Sequence, residues 1–194
     1  MTNPCEGIRR LYKNTRAEKI WTDADLCHFQ AQASKEVFAA LKLATLTGIR
    51  LGDLLELRWD DVLSDAIEFS TRKSGMAARA QIPLYAELRK FLATLPRLGS
   101  TVLVSTKGTA WSNGGFGASF NRAKKAANID LHFHDARGTA ATNFYRANLT
   151  AREIAAIMGW KESYVERILD KYVHRLSILN NLSDRISIGS AAQL

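Results

Sequence analysis

The fifteen residues LHFHDARGTAATNFY, from Leu131 to Tyr145, bring together helix-forming residues and two side chains that bind anions. His134 and Arg137 are three positions apart, so they share one face of the helix that this stretch predicts. An imidazole and a bidentate guanidinium on one face can bind a single phosphate group. The motif H-x-x-R is weak alone, because chance produces it often. His134 is equally well explained as a hydrogen-bonded histidine at the start of a helix.

The composition indicates a globular protein with a basic surface. The chain has 194 residues, of which 46% are hydrophobic and 24% are charged, which is enough to build one good-sized core. Lysine and arginine number 27 against 19 acidic residues, giving a formal charge of +8. This excess favours an acidic partner such as nucleic acid.

The cysteine and hydropathy patterns exclude several classes of protein. The two cysteines, Cys5 and Cys27, have no C-x-x-C spacing, so neither a zinc site nor a disulfide framework is indicated, and both are expected as reduced thiols. No apolar run is long enough for a membrane span, and the N-terminal sequence lacks the apolar segment of a signal peptide. A cytoplasmic location is therefore expected.

The residue pattern predicts a mainly helical domain (class α+β) with a small antiparallel β-hairpin sheet. Thr22 is the predicted N-cap of a first helix that ends near Ser34, and a second helix ends at Gly48. A further helical stripe is expected from four apolar residues, Leu51, Leu54, Leu55 and Val62. Later helices are predicted in YAELRKFLATL, FGASFNRAKKAAN, DARGTAATNFYRANL, TAREIAAIMG, SYVERILDKYVHR and LSILNNLSDRI.

Two β-prone runs surround a Ser-Gly tip in AIEFSTRKSGMAARAQIPL, which predicts a hairpin. Its turn region carries Arg72, Lys73 and Arg79. Lys73 is explained either as a solubilising turn residue or as a flexible ammonium that donates a proton to a leaving oxygen. A short buried strand is predicted in TVLVST, further along the chain.

Arg50 follows the glycine that ends the second helix, so its guanidinium can point along the surface towards an anion. Asp53, nearly one helical turn further on, can support it. The alternative is an ordinary surface ion pair between these two residues, which contributes little to stability.

Tyr172, in ILDKYVHR, is explained either as a packing residue or as a nucleophile. A phenol attacks phosphorus only where nearby cations stabilise its oxyanion. Four other residues would supply that field and would also neutralise the charge that grows in the transition state: Arg50, Lys73, His134 and Arg137.

In this order, TGIR, the hairpin RKSG…IPL, HDAR, MGW and YVH resemble the catalytic domain of tyrosine recombinases, the phage integrase family. The resemblance runs from about Asn3 to Ser177. It implies a catalytic set of Arg50, Asp53 in a supporting role, Lys73, His134, Arg137, Trp160 and the nucleophile Tyr172. The expected DNA contacts are Arg72, Arg79, Lys124, Lys125 and His174.

The sequence departs from the family's pattern at three points. Trp160 stands where most members have histidine, and its indole N–H donates a hydrogen bond but exchanges no proton. The spacing from Gly159-Trp160 to Tyr172 is some three residues longer than the commonest family pattern, which leaves Tyr164 as a rival nucleophile. Arg72 adjoins Lys73, which is preferred as the proton donor because an ammonium loses its proton more readily than a guanidinium.

The resemblance also implies a domain organisation. An arm or interdomain linker is expected over 1–21, the catalytic domain over 22–187 and a flexible tail over 188–194, with the family's N-terminal helical domain missing from this chain. Four apolar residues near the C-terminus, Leu176, Leu179, Leu182 and Ile186, have helical spacing and would pack within the chain or dock into a neighbour.

The implied function is site-specific DNA recombination, in which a DNA strand is cleaved and rejoined through a covalent 3′-phosphotyrosine. The expected partner is double-stranded DNA, with a tetramer on DNA or a monomer alone, and with no metal, cofactor, membrane or small-molecule substrate. Two alternatives remain open on the sequence: DNA relaxation of the type IB topoisomerase kind, and an inactive fragment that only binds DNA.

Overall fold

The computed structural model describes residues 19–71 and 79–172, which form a mainly helical domain with a two-stranded antiparallel sheet, as the sequence predicts. The element order is α1 (Asp23–Gln32), α2 (Lys35–Thr47), α3 (Leu51–Glu56), a 3₁₀ turn (Trp59–Asp61), β1 (Ala66–Ser70), β2 (Arg79–Pro83), α4 (Ala86–Thr94), α5 (Asn113–Ala126), a 3₁₀ turn (Phe133–Asp135), α6 (Ala136–Arg146), α7 (Ala151–Met158) and α8 (Glu162–Tyr172). Within this part of the chain, no helix combines the length and the apolar character needed to cross a membrane.

The helix ends follow local capping chemistry. Thr22 and Asp25 form a capping box at the start of α1, and Thr150 and Glu153 form another at the start of α7. Gly48 ends α2 in the left-handed region with φ of 68°, which costs a non-glycine residue free energy. The predicted N-cap at Thr22 and the predicted stop at Gly48 are therefore confirmed.

Helix α2 lies at the centre of the domain and packs against α6. Its residues Leu41, Leu43 and Ala44 are fully buried. Trp21, the last residue of the expected arm, also belongs to the core, because it is 1% exposed and its backbone N–H donates to Thr139 Oγ1 at 2.8 Å. This core fixes α6 against the end of α2, where two of the predicted site residues lie.

The hairpin has the predicted antiparallel pairing, with a register from Ala66 opposite Pro83 to Ser70 opposite Arg79. Its tip, residues 72–78, lies outside the described residues, as do residues 173–194. The predicted positions of Arg72, Lys73 and His174, and the predicted C-terminal helix, therefore stay predictions.

The predicted strand in TVLVST is wrong. Its residues 102–104 are buried, but the segment forms only isolated bridges, Arg58 with Thr101 and Val104 with Ala110. The segment that pairs with Thr101 enters the 3₁₀ turn at Trp59, so the pairing between Arg58 and Thr101 cannot extend into a ladder.

The predicted stripe through Val62 is also too long. Helix α3 ends at Glu56, and the carbonyl of Leu57 accepts from Val102 N at 2.8 Å instead of from a helical partner. Val62 therefore lies outside α3.

Candidate active site

The end of α2 places Arg50 next to the end of α7. A Cβ added at Gly48 would lie 2.3 Å from Met158 Sδ, so the backbone at Gly48 directly contacts the last residue of α7. Arg50 follows two residues later as the half-buried N-cap residue of α3. Only a glycine permits both the left-handed turn and this close approach.

His134 and Arg137 are positioned by the 3₁₀ turn that leads into α6. The backbone N–H of His132 donates to Asp135 Oδ2 at 2.7 Å, which fixes the start of the turn. His134 is exposed, whereas the Arg137 side chain reaches back into the domain and the residue is 3% exposed. The predicted face thus presents an accessible imidazole beside a buried guanidinium.

The guanidinium of Arg137 is held from two sides. Its Nη2 donates to the Met158 carbonyl oxygen at 2.8 Å, and its central carbon lies 5.0 Å from the centroid of the Trp160 ring. Trp160 in turn is set by its backbone N–H, which donates to the Ala155 carbonyl at 3.0 Å in the C-terminal turn of α7. The Nε of Arg137 is buried and has no hydrogen-bond partner among the described residues.

Burial and a neighbouring cation both act on the charge of Arg137. Burial and, next, the neighbouring Arg50 lower the pKa of Arg137 to about 9, while Asp53 and Tyr164 oppose that shift. Arg137 therefore stays charged near neutral pH. Asp53 is 6% exposed, so its carboxylate offsets part of the charge from beneath the site.

The same two effects act on His134. Burial and the charges of Arg137 and Arg50 lower the pKa of His134 below its usual 6.5, and Asp135 opposes the shift. Its imidazole is therefore mainly neutral at pH 7. A neutral imidazole can donate one hydrogen bond and accept another.

These side chains meet at one open cleft of about 630 Å³, which we call the α8 cleft. Four of the predicted residues line it: Arg50, His134, Arg137 and Trp160. A second cleft of about 360 Å³ shares Arg50 and Arg137 with the first and adds Asp53. It extends to Thr71 and Ala80 on the hairpin, beside the tip that carries Lys73 in the sequence. The two arginines therefore stand where the clefts meet.

Other predicted residues stand apart or lack a described side chain. Lys124 and Lys125 lie in the last turn of α5 and line neither cleft. Arg79 lies in β2 and Tyr172 is the last residue of α8, but their side chains are outside the description. Their expected roles stay predictions.

The sequence reasoning missed two cationic residues of the α8 cleft, Lys161 and Arg167. Lys161 follows Trp160 directly, and Arg167 follows Tyr164 by three positions, the spacing of one helix face. These two positions in the sequence are the signals that could have indicated Lys161 and Arg167. Tyr164 lines the cleft as well, and its ring meets the Trp160 ring edge-on at a centroid distance of 5.0 Å.

Within the described ranges, no cluster of three or more histidine, cysteine or acidic side chains is arranged to hold a metal ion. The cleft instead offers hydrogen-bond donors from guanidinium, imidazole and indole groups, which suit an anion with several oxygen acceptors.

Comparisons with known proteins identify relatives of this chain. The sequence is 25% identical over 174 residues to the integrase of Enterobacteria phage 434, covering 82% of this chain and 49% of that protein. It is 28% identical over 182 residues to the shufflon-specific DNA recombinase of Escherichia coli, covering 89% of this chain and 44% of that protein. The chain thus spans about half the length of these curated relatives.

A solved structure has the same fold. The lambda integrase in a dimer bound to a COC′ core site superposes with a TM-score of 0.66 and 23% identity, covering 81% of this chain and 49% of that one. The sequence profile of the phage integrase family matches residues 11–177. The chain therefore belongs to the phage integrase family.

Proposed function

We propose that this chain is the catalytic part of a tyrosine-type site-specific recombinase, which cleaves and rejoins DNA through a covalent 3′-phosphotyrosine. The observation that carries the proposal is the convergence of Arg50, His134, Arg137 and Trp160 on one open cleft. All four side chains can donate hydrogen bonds to an anion.

Arg137, beside Arg50, is the strongest indication that the site binds an anion. Its Nη2 is already bound to the Met158 carbonyl, but its buried Nε has no partner among the described residues. Leaving a buried donor without a partner costs about 1–3 kcal/mol. A phosphate in the cleft that Arg50 and Arg137 line would offset the repulsion between the two guanidinium groups.

The proposed reaction is a single displacement. Arg50 and Arg137 bind the non-bridging oxygens of the scissile phosphate and neutralise the charge that develops on them. The Tyr172 hydroxyl releases its proton to water, and its oxygen forms a bond to phosphorus while the bond from phosphorus to the 5′-oxygen breaks. Lys73 gives a proton to the departing 5′-oxygen.

The remaining side chains assist this step. His134 and Trp160 donate hydrogen bonds to the phosphate, and Asp53 offsets part of the cationic charge beneath the site. The phosphodiester energy is kept in the tyrosine ester, so a 5′-hydroxyl of a second strand reverses the step without ATP. The proposal requires no metal or cofactor.

We propose Tyr172 rather than Tyr164 as the nucleophile. The Tyr164 ring meets Trp160 edge-on, and the Arg167 guanidinium lies 5.0 Å from its centroid. These two contacts hold the Tyr164 ring as part of the cleft wall. Tyr172 lies two turns further along α8, in a segment that resembles the family's nucleophile motif.

The proposed partner is double-stranded DNA, on which copies of the protein assemble. The lambda integrase of known structure is a dimer on its core site, and a tetramer on paired sites is proposed here for strand exchange. The catalytic domain is proposed over 22–187 together with Trp21, which packs in its core, with the preceding residues as the linker and 188–194 as the tail. A DNA substrate and the exposed free thiol of Cys27 fit a cytoplasmic location.

The proposal is tested with a DNA duplex that carries a nick close to a candidate recombination site, so that the cleaved end is lost and the covalent complex accumulates. The unmodified protein should give an adduct that survives denaturing electrophoresis. Tyr172→Phe should give none, whereas Tyr164→Phe should still form it. An adduct that persists in Tyr172→Phe would rule out the assigned nucleophile.

A further inference from the structure

The α8 cleft extends beyond the four predicted residues, and its extension is also cationic. Lys161 and Arg167 line it, and both are exposed. None of the described residues that line this cleft is acidic. Neither Lys161 nor Arg167 forms an ion pair with an acidic residue in the described ranges. The extension therefore concentrates positive charge that the described part of the chain does not neutralise.

Arg167 is joined to Arg137 by a row of stacked side chains, which we call the cation–aromatic stack. The Arg137 guanidinium lies 5.0 Å from the centroid of the Trp160 ring. The Trp160 and Tyr164 rings meet at 88° with centroids 5.0 Å apart, and the Arg167 guanidinium lies 5.0 Å from the Tyr164 centroid. The two aromatic rings thus stand between the two guanidinium groups along the stack.

We infer that Lys161 and Arg167 bind a second phosphate of the DNA strand, adjacent to the scissile phosphate at Arg50 and Arg137, with the Tyr164 ring holding Arg167 in position. This inference rests on the proposed function, because it takes the first phosphate to be that of DNA.

Charge and reach both support a second phosphate. A hydrogen-bonded phosphate oxygen lies about 2.7–2.9 Å from its charged nitrogen donor, so the interposed rings assign Arg137 and Arg167 to different phosphates. A DNA strand supplies one negative charge about every 3.4 Å along its axis. A continuous strand therefore matches a cleft with cations at both ends.

The Tyr164 ring reduces the cost of using a long arginine side chain. A free arginine loses up to about 2 kcal/mol of rotamer entropy when it is fixed. The contact with the ring face restricts Arg167 before DNA binds, which lowers that loss. Tyr164 is thus a positioning residue that acts through Arg167.

The salt dependence of binding to a duplex of fixed sequence, measured by fluorescence anisotropy, tests the charge contacts. Lys161→Ala and Arg167→Ala should each reduce the slope of log K against log [salt] by about 1. Lys90→Ala, an exposed lysine of α4, and Arg97→Ala, whose guanidinium lies 4.4 Å from the Trp59 ring centroid outside this cleft, are the matched controls. They should keep the wild-type slope. Wild-type slopes in both Lys161→Ala and Arg167→Ala would overturn the inference.

The positioning role of Tyr164 has its own test. Tyr164→Phe keeps the ring face and should keep the slope, whereas Tyr164→Leu should lower it as Arg167→Ala does. In the Arg167→Ala background, Tyr164→Leu should have no additional effect. An additional loss in that background would show that Tyr164 acts independently of Arg167.

The adduct on the nicked duplex defines the scissile phosphate, so the neighbouring phosphates can then be altered one at a time. A neutral methylphosphonate at one of them should weaken binding of the unmodified protein but not of the Lys161→Ala, Arg167→Ala double variant. Equal weakening of both proteins at every neighbour would sink the inference even if the adduct forms. A wild-type protein that forms no adduct would instead count against the proposed function.

Discussion

At the residue scale, Arg137 has an Nη2 anchored on the Met158 carbonyl and carries further N–H donors in the same planar group, which only arginine supplies. Arg137→Lys keeps the positive charge but removes the planar fork. We expect the rate of adduct formation to fall by about 10²-fold or more, because one oriented donor to the reacting phosphate is lost. Single-turnover assays on the nicked duplex measure this rate.

Arg122→Lys, at an exposed arginine of α5, is the control for the same chemical change and should react at the wild-type rate. Near-wild-type cleavage by Arg137→Lys would mean that the bidentate geometry is not used.

His134 provides a second test at this scale, because its pKa responds to what occupies the cleft. In the free protein, burial and the charges of Arg137 and Arg50 hold this pKa below 6.5. A bound anion favours the imidazolium and should therefore raise the pKa. NMR titration of the His134 ring with and without inorganic phosphate measures the change, with His134→Gln used to assign the signal.

The expected result is an upward shift of the His134 titration when phosphate is added. A titration that does not respond would place the imidazole outside the anion site. The depressed pKa has a consequence for stability: below about pH 6.5 the unfolded chain binds this proton more readily than the folded protein, so the contribution is destabilising as pH falls.

Local motifs explain which site residues could be predicted. Arg50, His134 and Arg137 follow a helix break or lie at helical spacing, so short stretches of sequence reveal them. Trp160 is implied by the family's pattern, and the structure brings all four residues to one cleft. Lys161 and Arg167 have only weak local signals in the sequence, because their place in the cleft depends on how α8 packs against α7.

At the scale of elements, the contact between the end of α2 and the end of α7 determines where Arg50 lies in the site. Gly48→Ala would put a Cβ 2.3 Å from Met158 Sδ at a backbone φ of 68°. We expect a loss of about 1–3 kcal/mol in the free energy of unfolding from backbone strain, with further cost if Met158 cannot move. Urea denaturation followed by circular dichroism measures it.

Gly117→Ala is the matched control for Gly48→Ala. Gly117 lies inside α5, and nothing would be within 4 Å of its added Cβ, so alanine should stabilise the helix by about 0.5–1 kcal/mol. The two glycine substitutions should therefore have opposite signs. A Gly48→Ala protein as stable as the wild type would show that the close contact between Gly48 and Met158 does not require glycine.

The helices were predictable because their capping residues and apolar spacing are local features of the sequence. The hairpin was predictable for the same reason, as two β-prone runs flank a turn. The strand prediction for TVLVST was wrong because the burial of Val102 and Leu103 comes from tertiary packing. A strand would also require a partner segment that stays extended.

At the scale of the whole molecule, the fold holds two clefts on either side of a pair of arginines. Arg50 comes from the turn after α2 and Arg137 from α6, and the packing of α2 on α6 fixes their separation. One cleft leads to the hairpin and the other to α8. The proposed nucleophile, Tyr172, is the last residue of α8, and the proposed proton donor, Lys73, belongs in the sequence to the segment between β1 and β2.

The measurement that tests this account most directly is identification of the tyrosine that becomes linked to DNA. The adduct is digested with nuclease and then with trypsin, and the peptides are analysed by mass spectrometry. Cleavage after Lys161, Arg167 and Lys171 separates the two candidates, because Tyr164 lies in ESYVER and Tyr172 in YVHR. If Tyr172 is the nucleophile, the nucleotide is found on YVHR. A nucleotide on ESYVER, or on any other peptide, would contradict that assignment.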